Sequence, residues 1–271
     1  MEQLRRSQMQ RRRRLQFWSI AGAGVVVVVV AAVLISVLSG GKTKHVASSA
    51  KTTGATTSTT RRTTTTTTSP PVSVPLLAAP AHVGCPNLNG TSPHYTRFSA
   101  APPMCINPAK TYTAKIVTDI GTVTVKLLAS ENPKTVNNFV FLAGYHFYNG
   151  TAFHRVCTGF VDQGGDPTGT GSGGPGYSFN GGAPKSASVY KAGALAMANS
   201  GTPSSDGSQF FFVIGNGGQQ LSPDYSYFGQ VTGGMSVLDK INQDGTSADA
   251  TGGSCPPRVV HKVLNVTITE S

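Results

Sequence analysis

Three side chains able to act on a bound molecule stand close together in this sequence, and none is a nucleophile: Arg155, Phe160 and Gln163. They sit at the head of a stretch with eight glycines among the eighteen residues from Gly159 to Gly176. Glycine at that density means backbone brought close to a ligand, or φ angles that other residues tolerate badly. A guanidinium, an aromatic ring and a carboxamide supply donors, an apolar face and a neutral polar group. That set suits binding and electrostatic stabilisation, a chemistry that breaks no bonds.

Chemistry that does break bonds lacks its groups. Gly169-x-Gly171-x-x-Gly174 matches the dinucleotide fingerprint, but Pro175-Gly176 follows where a helix N-terminus should receive the pyrophosphate. No Gly-x-Ser-x-Gly elbow occurs, no pair of carboxylates stands out, and the six histidines follow no metal-ligand spacing. No metal and no cofactor is implied. The net charge of +11 is misleading too. Eleven Lys and Arg fall in the first 62 residues against Glu2 alone, whereas the remainder carries eleven basic and ten acidic residues. A nearly neutral globular part does not form the basic footprint of a nucleic-acid binder.

The run FHRVCTGFVDQGGDPTGTGSGGPGY, Phe153 to Tyr177, resembles the signature of the cyclophilin-type peptidyl-prolyl cis-trans isomerases. A second block, Met197-Ala198-Asn199 through Gly207-Ser208-Gln209-Phe210-Phe211-Phe212, resembles that family's other hallmark, and the likeness covers about residues 110–271. The resemblance implies rotation about X–Pro bonds in polypeptide clients. Amide resonance sets a barrier of about 18–20 kcal/mol, and unaided X–Pro interconversion takes tens to hundreds of seconds. A catalyst need only bind the twisted amide better than either planar form. The twisted prolyl nitrogen regains a lone pair that a fixed guanidinium can address.

On this reading Arg155 is the principal catalytic residue, with Gln163 and Phe160 beside it. Val161, Phe211, Leu221 and Tyr225 form the proline pocket with Phe160. Ala198 and Asn199 line the groove for the preceding residue, Asn199 through its backbone. Gln209 supports the same wall, and Gly207 and Ser208 shape the turn into it. The runner-up is a proline-recognising module with incidental turnover, which loss of the arginine or the pocket aromatics would have favoured.

Three positions depart from the familiar members. Gln220 stands where eukaryotic forms often carry a tryptophan that contacts cyclosporin, and Tyr225 where they carry a histidine, so weak cyclosporin binding is expected. Asp162 replaces an uncharged residue; alternation puts it on the face opposite Val161 and Gln163, and a surface position is expected. Four cysteines allow three connectivities. The expected pairs are Cys85–Cys105, which would close a local loop, and Cys157–Cys255, at positions where the family usually has other residues; two free thiols are the alternative to the second.

The elements that must position these residues read as short strands with two helices. Ala114–Asp119 and Thr122–Leu127 flank a turn at Ile120-Gly121, with Val123, Val125 and Leu127 alternating with polar residues. Asn132-Pro133 starts a helix that Gly144 stops, with Val136, Phe139, Val140 and Ala143 at helical spacing. Strands follow near 153–156, 194–198, 210–214 and 227–231, a helix from 235 to 242, and a closing strand from 259 to 269. This pattern is mainly β; the resemblance sharpens it to a closed eight-stranded antiparallel barrel capped by two α-helices.

Ahead of that domain (110–271) lie a Cys-containing prelude (82–109), a Thr/Pro-rich linker (39–81), an apolar stretch (17–38) and a basic N-terminus (1–16). The apolar stretch would span about 33 Å as a helix, enough for a hydrocarbon core of about 30 Å. A cleaved signal peptide has an apolar region of only about 7–15 residues. A membrane-spanning helix is expected, with its arginine-rich N-terminus cytoplasmic and the C-terminal domain extracytoplasmic. The linker, with twelve threonines among the seventeen residues from Thr52 to Thr68, has nothing to bury and should be disordered. The expected protein is a monomeric, single-pass, membrane-tethered isomerase assisting exported proteins.

Overall fold

The computed structural model describes residues 73–248 and 253–271. The basic N-terminus, the expected membrane span at 17–38 and most of the expected linker lie outside the described residues. Among the described residues, no helix is long and apolar enough to cross a membrane.

Eight strands form one antiparallel sheet in the order β3-β4-β6-β5-β7-β2-β1-β8. They are β1 Tyr112–Thr118, β2 Gly121–Leu127, β3 Arg155–Cys157, β4 Val161–Gly164, β5 Ala194–Met197, β6 Phe210–Val213, β7 Tyr227–Gly233 and β8 Val263–Glu270. Two helices accompany them, α1 Pro133–Gly144 and α2 Met235–Gln243. The N-cap of α1 is Asn132, whose side chain accepts from the Thr135 N–H, and Pro133 opens the first turn. Alternating burial along β1 and β2 follows the polar–apolar alternation of the sequence.

The sheet curls, helped by register shifts at Val117/Thr118, Thr124/Val125 and Leu195/Ala196. It does not close as the barrel expected from the sequence. The edge strands β3 and β8 share no ladder; the chain just ahead of each is stitched to the other instead. Ala152 bridges Lys262, the Phe153 N–H donates to His261 O at 2.9 Å, and the Val263 N–H to Thr151 O at 2.9 Å. β3, with three residues, is too short to carry a full seam.

Inside the curl, Ile116, Val123, Val125, Phe210, Phe212 and Phe228 pack with Val136, Phe139 and Val140 of α1. The Phe139 ring lies within 5.9 Å of those of Tyr148, Phe210 and Phe228. β6 is buried on both faces. Phe210 and Phe212 point into this core, while Phe211 and Val213 join a smaller outer cluster with Val161, Ala196 and Tyr190.

The prelude is less polar in effect than in composition. Phe98 is buried among Phe141, Tyr145 and Phe147. The Cys85–Cys105 disulfide forms, and the Cys105 N–H donates to Asn137 Oδ1 at 2.6 Å, tying the loop to α1. The second expected bond, Cys157–Cys255, also forms. Residues 74–79, assigned from the sequence to the linker, pair with the body: the Val74 N–H donates to Pro167 O at 2.8 Å and the Ala79 N–H to Arg97 O at 2.7 Å. This stretch of the expected linker is therefore fastened to the body, mostly through backbone partners, with Ala79 packed against the core.

Candidate functional site

The site lies on the outer face of the sheet, and strand register assembles it. Arg155 of β3 stands opposite Gln163 of β4, which stands opposite Phe211 of β6. Val161, two residues from Gln163, faces the same way. One row across three strands thus places a guanidinium, a carboxamide and an aromatic ring side by side.

The guanidinium is held from several directions. Arg155 Nε donates to Gly253 O at 2.9 Å, and Nη1 reaches Gln163 Oε1 at 3.4 Å. Its Cζ lies 5.8 Å from the centroid of the Phe160 ring, within cation–π range. Gln163 Nε2 donates to Gln209 Oε1 at 3.0 Å, and Gln209 Nε2 donates to Gly171 O at 2.9 Å and Gly173 O at 2.8 Å. Two carboxamides therefore fasten Arg155 to the glycine-rich loop.

Asp166 gathers that loop. One carboxylate oxygen accepts from the Thr168 N–H at 2.7 Å and the Thr168 hydroxyl at 2.8 Å, the other from the N–H groups of Gly171 at 2.7 Å and Gly173 at 3.0 Å. Burial alone would raise the Asp166 pKa, but these donors, led by the Gly173 N–H, outweigh it and hold the carboxyl below its ordinary range. A glycine loop that looks slack in sequence is pinned by one anion.

The apolar wall joins Phe211 of β6 to side chains from the neighbouring loops. The Phe211 and Tyr225 rings meet edge to face at 5.3 Å. The Tyr190 hydroxyl donates to Tyr225 O at 2.6 Å and accepts from the Tyr225 N–H at 3.1 Å. Burial pushes the Tyr190 hydroxyl up to about 12, so it stays protonated at neutral pH. Leu221 caps a short 3₁₀ turn, Gly217–Gln220, its N–H donating to Gly218 O at 3.1 Å. A Cβ at Gly218 would lie 1.6 Å from Tyr190 O, so only glycine lets this turn close on the wall.

The Asn199 side chain is committed to partners within the protein. Its Nδ2 donates to Asp224 O at 2.9 Å and approaches Asp206 Oδ1 at 3.3 Å. Burial raises the Asp206 carboxyl to about 6, against the pull of its bonds to Ser226 and Asn199.

These walls enclose a cavity of about 500 Å³ lined by Arg155, Phe160, Val161, Gln163, Ala198, Asn199, Phe211, Leu221 and Tyr225, together with Gln220, Ser222 and Gly253. Gln209, expected on the same wall, lines an adjoining groove of about 480 Å³ that shares Gln163, Ala198 and Asn199 with the first. Every residue singled out from the sequence for catalysis or binding borders one of the two spaces. Gly253 was not singled out from the sequence, where its one signal is its place two residues before Cys255.

Asp162 is a correction. It does point away from Val161 and Gln163, as alternation requires, but it is fully buried rather than on the surface. The face behind β4 is covered by α2, whose Asn242 donates from Nδ2 to Asp162 Oδ1 at 2.7 Å and to Cys157 O at 3.0 Å. Burial pushes the Asp162 carboxyl up to about 7, although the Asn242 bond pulls the other way.

The cavity offers a guanidinium, carboxamides and an apolar wall, with no carboxylate or thiol among its lining residues. Among the described residues, no group of three or more His, Cys, Asp or Glu side chains could hold a metal ion.

Comparison with known proteins gives the same family from sequence and from structure. Residues 113–268 match the family described as cyclophilin type peptidyl-prolyl cis-trans isomerase/CLD. A peptidyl-prolyl cis-trans isomerase of Helicobacter pylori is 43% identical over 137 residues, covering 50% of this chain and 83% of the relative. Peptidyl-prolyl cis-trans isomerase A of Mycobacterium tuberculosis is 37% identical over 174 residues, covering 58% of this chain and 93% of the relative. Among solved structures, a Cryptosporidium parvum cyclophilin type peptidyl-prolyl cis-trans isomerase aligns with a TM-score of 0.52 at 30% identity, covering 59% of this chain and 99% of that one. A crystal structure of that protein in the presence of the dipeptide Ala-Pro aligns with a TM-score of 0.51 at 32% identity.

Proposed function

Since this chain belongs to the cyclophilin-type peptidyl-prolyl cis-trans isomerases, we propose that it turns X–Pro bonds in the cavity bordered by Arg155 and Phe211, the guanidinium stabilising the twisted amide. The carrying observation is convergence. Arg155, Gln163 and the Phe160, Phe211, Leu221 and Tyr225 side chains all border one space of about 500 Å³.

The proline ring belongs against Phe211, Leu221 and Tyr225, the apolar side. The guanidinium borders the same space, its Nε fixed on Gly253 O, and the substrate amide is placed within its reach. As the C–N bond twists, conjugation is lost and electron density returns to the prolyl nitrogen. A cationic donor fixed beforehand favours that state over both planar ones, which is the only requirement for acceleration. No proton is transferred and no intermediate forms. Asn199, with its side chain tied to Asp224 O, addresses the residue before proline through its backbone.

Tethering is the second part of the proposal. The apolar stretch 17–38 behind six arginines anchors the protein with its isomerase domain outside the cytoplasm, where two disulfides persist. The clients are then exported polypeptides near the membrane, and the domain works as a monomer. Gln220 and Tyr225 at the cavity rim argue for weak cyclosporin binding; calorimetric titration giving affinity as tight as that of eukaryotic members would refute it.

The isomerase assignment is tested by exchange NMR on an Ala-Pro peptide, with the full-length chain beside Arg155→Ala. Accelerated exchange should fall by about 100- to 1,000-fold in kcat/KM, the usual cost of one preorganised donor. Equal rates in the two proteins would remove Arg155 from the mechanism.

A further inference from the structure

We infer that the Cys157–Cys255 disulfide is a positioning device for the Arg155 guanidinium, acting through the carbonyl of Gly253. The inference rests on Arg155 being the catalytic donor, and extends that reading to the residues that aim it.

The geometry is a matched pair of two-residue steps. Cys157 follows Arg155 by two positions on β3, and Cys255 follows Gly253 by two positions on the facing segment. Between them the Val156 N–H donates to Cys255 O at 2.9 Å. Arg155 Nε donates to Gly253 O at 2.9 Å, and the disulfide joins the other end of the same pairing. Segment 253–255 therefore occupies the side of β3 that β4 does not, and it does so without belonging to a strand.

Fixing Nε has a consequence that fixing Nη lacks. Nε is the guanidinium nitrogen nearest the chain, so its partner sets the plane of the fork and the direction of both Nη groups. The bond from Nη1 to Gln163, at 3.4 Å, is too long to set that plane alone. Gly253, as a glycine, has by itself a wide choice of backbone conformations. Two residues beyond it the segment is fastened to β3 by the covalent closure between residues 98 apart in sequence and by the Val156 N–H bond to the Cys255 carbonyl.

The test uses the full-length chain in three forms: wild type, Cys157→Ser/Cys255→Ser, and Cys85→Ser/Cys105→Ser as the control that loses the other bond. Exchange NMR on an Ala-Pro peptide gives kcat and KM. The Arg155 Nε–H resonance, followed by ¹H–¹⁵N correlation and its exchange with water, reads the anchoring directly. Opening Cys157–Cys255 should lower kcat about tenfold while KM stays within about twofold, as misaiming a reacting group does. The Nε–H resonance should shift and exchange faster, and the control should match wild type in both. In the control background, dithiothreitol should reproduce the effect reversibly: two electrons and two protons pass to the sulfurs as the reagent closes to its own disulfide.

Unchanged kcat or an unchanged Nε–H signal with the bond open would overturn the inference. So would joint loss of activity, peptide binding and dispersed amide signals, which would make the bond a staple of the fold alone. A wild type that fails to accelerate exchange, yet shows the protected Nε–H signal only while the disulfide is closed, would overturn the catalytic reading and uphold the positioning.

Discussion

Asp162→Asn should reshape the pH dependence of stability, because the buried carboxyl is a liability whenever it is ionised. Asp162 is 0% exposed, its Oδ1 accepts from Asn242 at 2.7 Å, and its Oδ2 has no hydrogen-bond partner. Burial carries its pKa from 3.8 to about 7. Between those values the folded state holds a proton that the unfolded state has released, so stability falls as pH rises from about 4 to about 7 and levels off above. At 1.36 kcal/mol for each pH unit, the window is worth about 4 kcal/mol. Asparagine keeps the bond from Asn242 but buries an amide N–H₂ where Oδ2 was, costing about 1–3 kcal/mol at every pH. The variant should therefore be less stable than wild type by about 1–3 kcal/mol near pH 4, and more stable by a similar amount near pH 8. Urea unfolding followed by circular dichroism at pH 4.5, 6 and 8 measures the difference. A gap between the two proteins that stays constant across this range would refute the reasoning, since only titration of Asp162 makes it change sign.

Two further outcomes follow from the same structure. His261 bridges Asp119 and Asp244 at 3.0 Å each; burial would lower its pKa, but the two carboxylates outweigh it and raise it. Its contribution is fully present below about pH 6.5 and lost as pH rises through the raised folded value, so the Tm deficit of His261→Gln should shrink from pH 6 to pH 9. Losing Cys85–Cys105, a bond across 20 residues, should cost about 3 kcal/mol in the same urea assay by the chain-entropy relation, and leave kcat/KM unchanged because the loop docks on α1 and not at the cavity.

The site was more legible in the sequence than the sheet that carries it. The resemblance to the family, carried by two long motifs, picks out Arg155, Gln163, Phe211 and Tyr225, and each borders the cavity. β4 was harder. Val161-Asp162-Gln163-Gly164 carries strand alternation but is not placed among the expected strands, because it runs into a glycine-rich stretch and holds poor strand formers; β3 on one side and Phe210–Val213 on the other supply its ladder partners. Phe98 and residues 74–79 were likewise assigned by composition, when their partners, Phe141 and Arg97, lie elsewhere in the chain.

Asp162 shows where period-two reasoning stops. Alternation predicts which face of a strand a side chain takes, and did so correctly here. It cannot say what lies on that face, which is a fact about α2 and its Asn242. Gly253 is the same lesson on the functional side. Nothing local marks it as the Arg155 partner; the signal was the pair of cysteines two residues beyond each. Amide rotation asks little of a protein except a donor held still. Gln163 and Phe160, which help hold the donor still, stand beside it in sequence, but Gly253 and Gln209 come from parts of the chain far from it, so their share was visible only once the chain had folded. Aim, more than chemistry, is what the fold adds to this sequence.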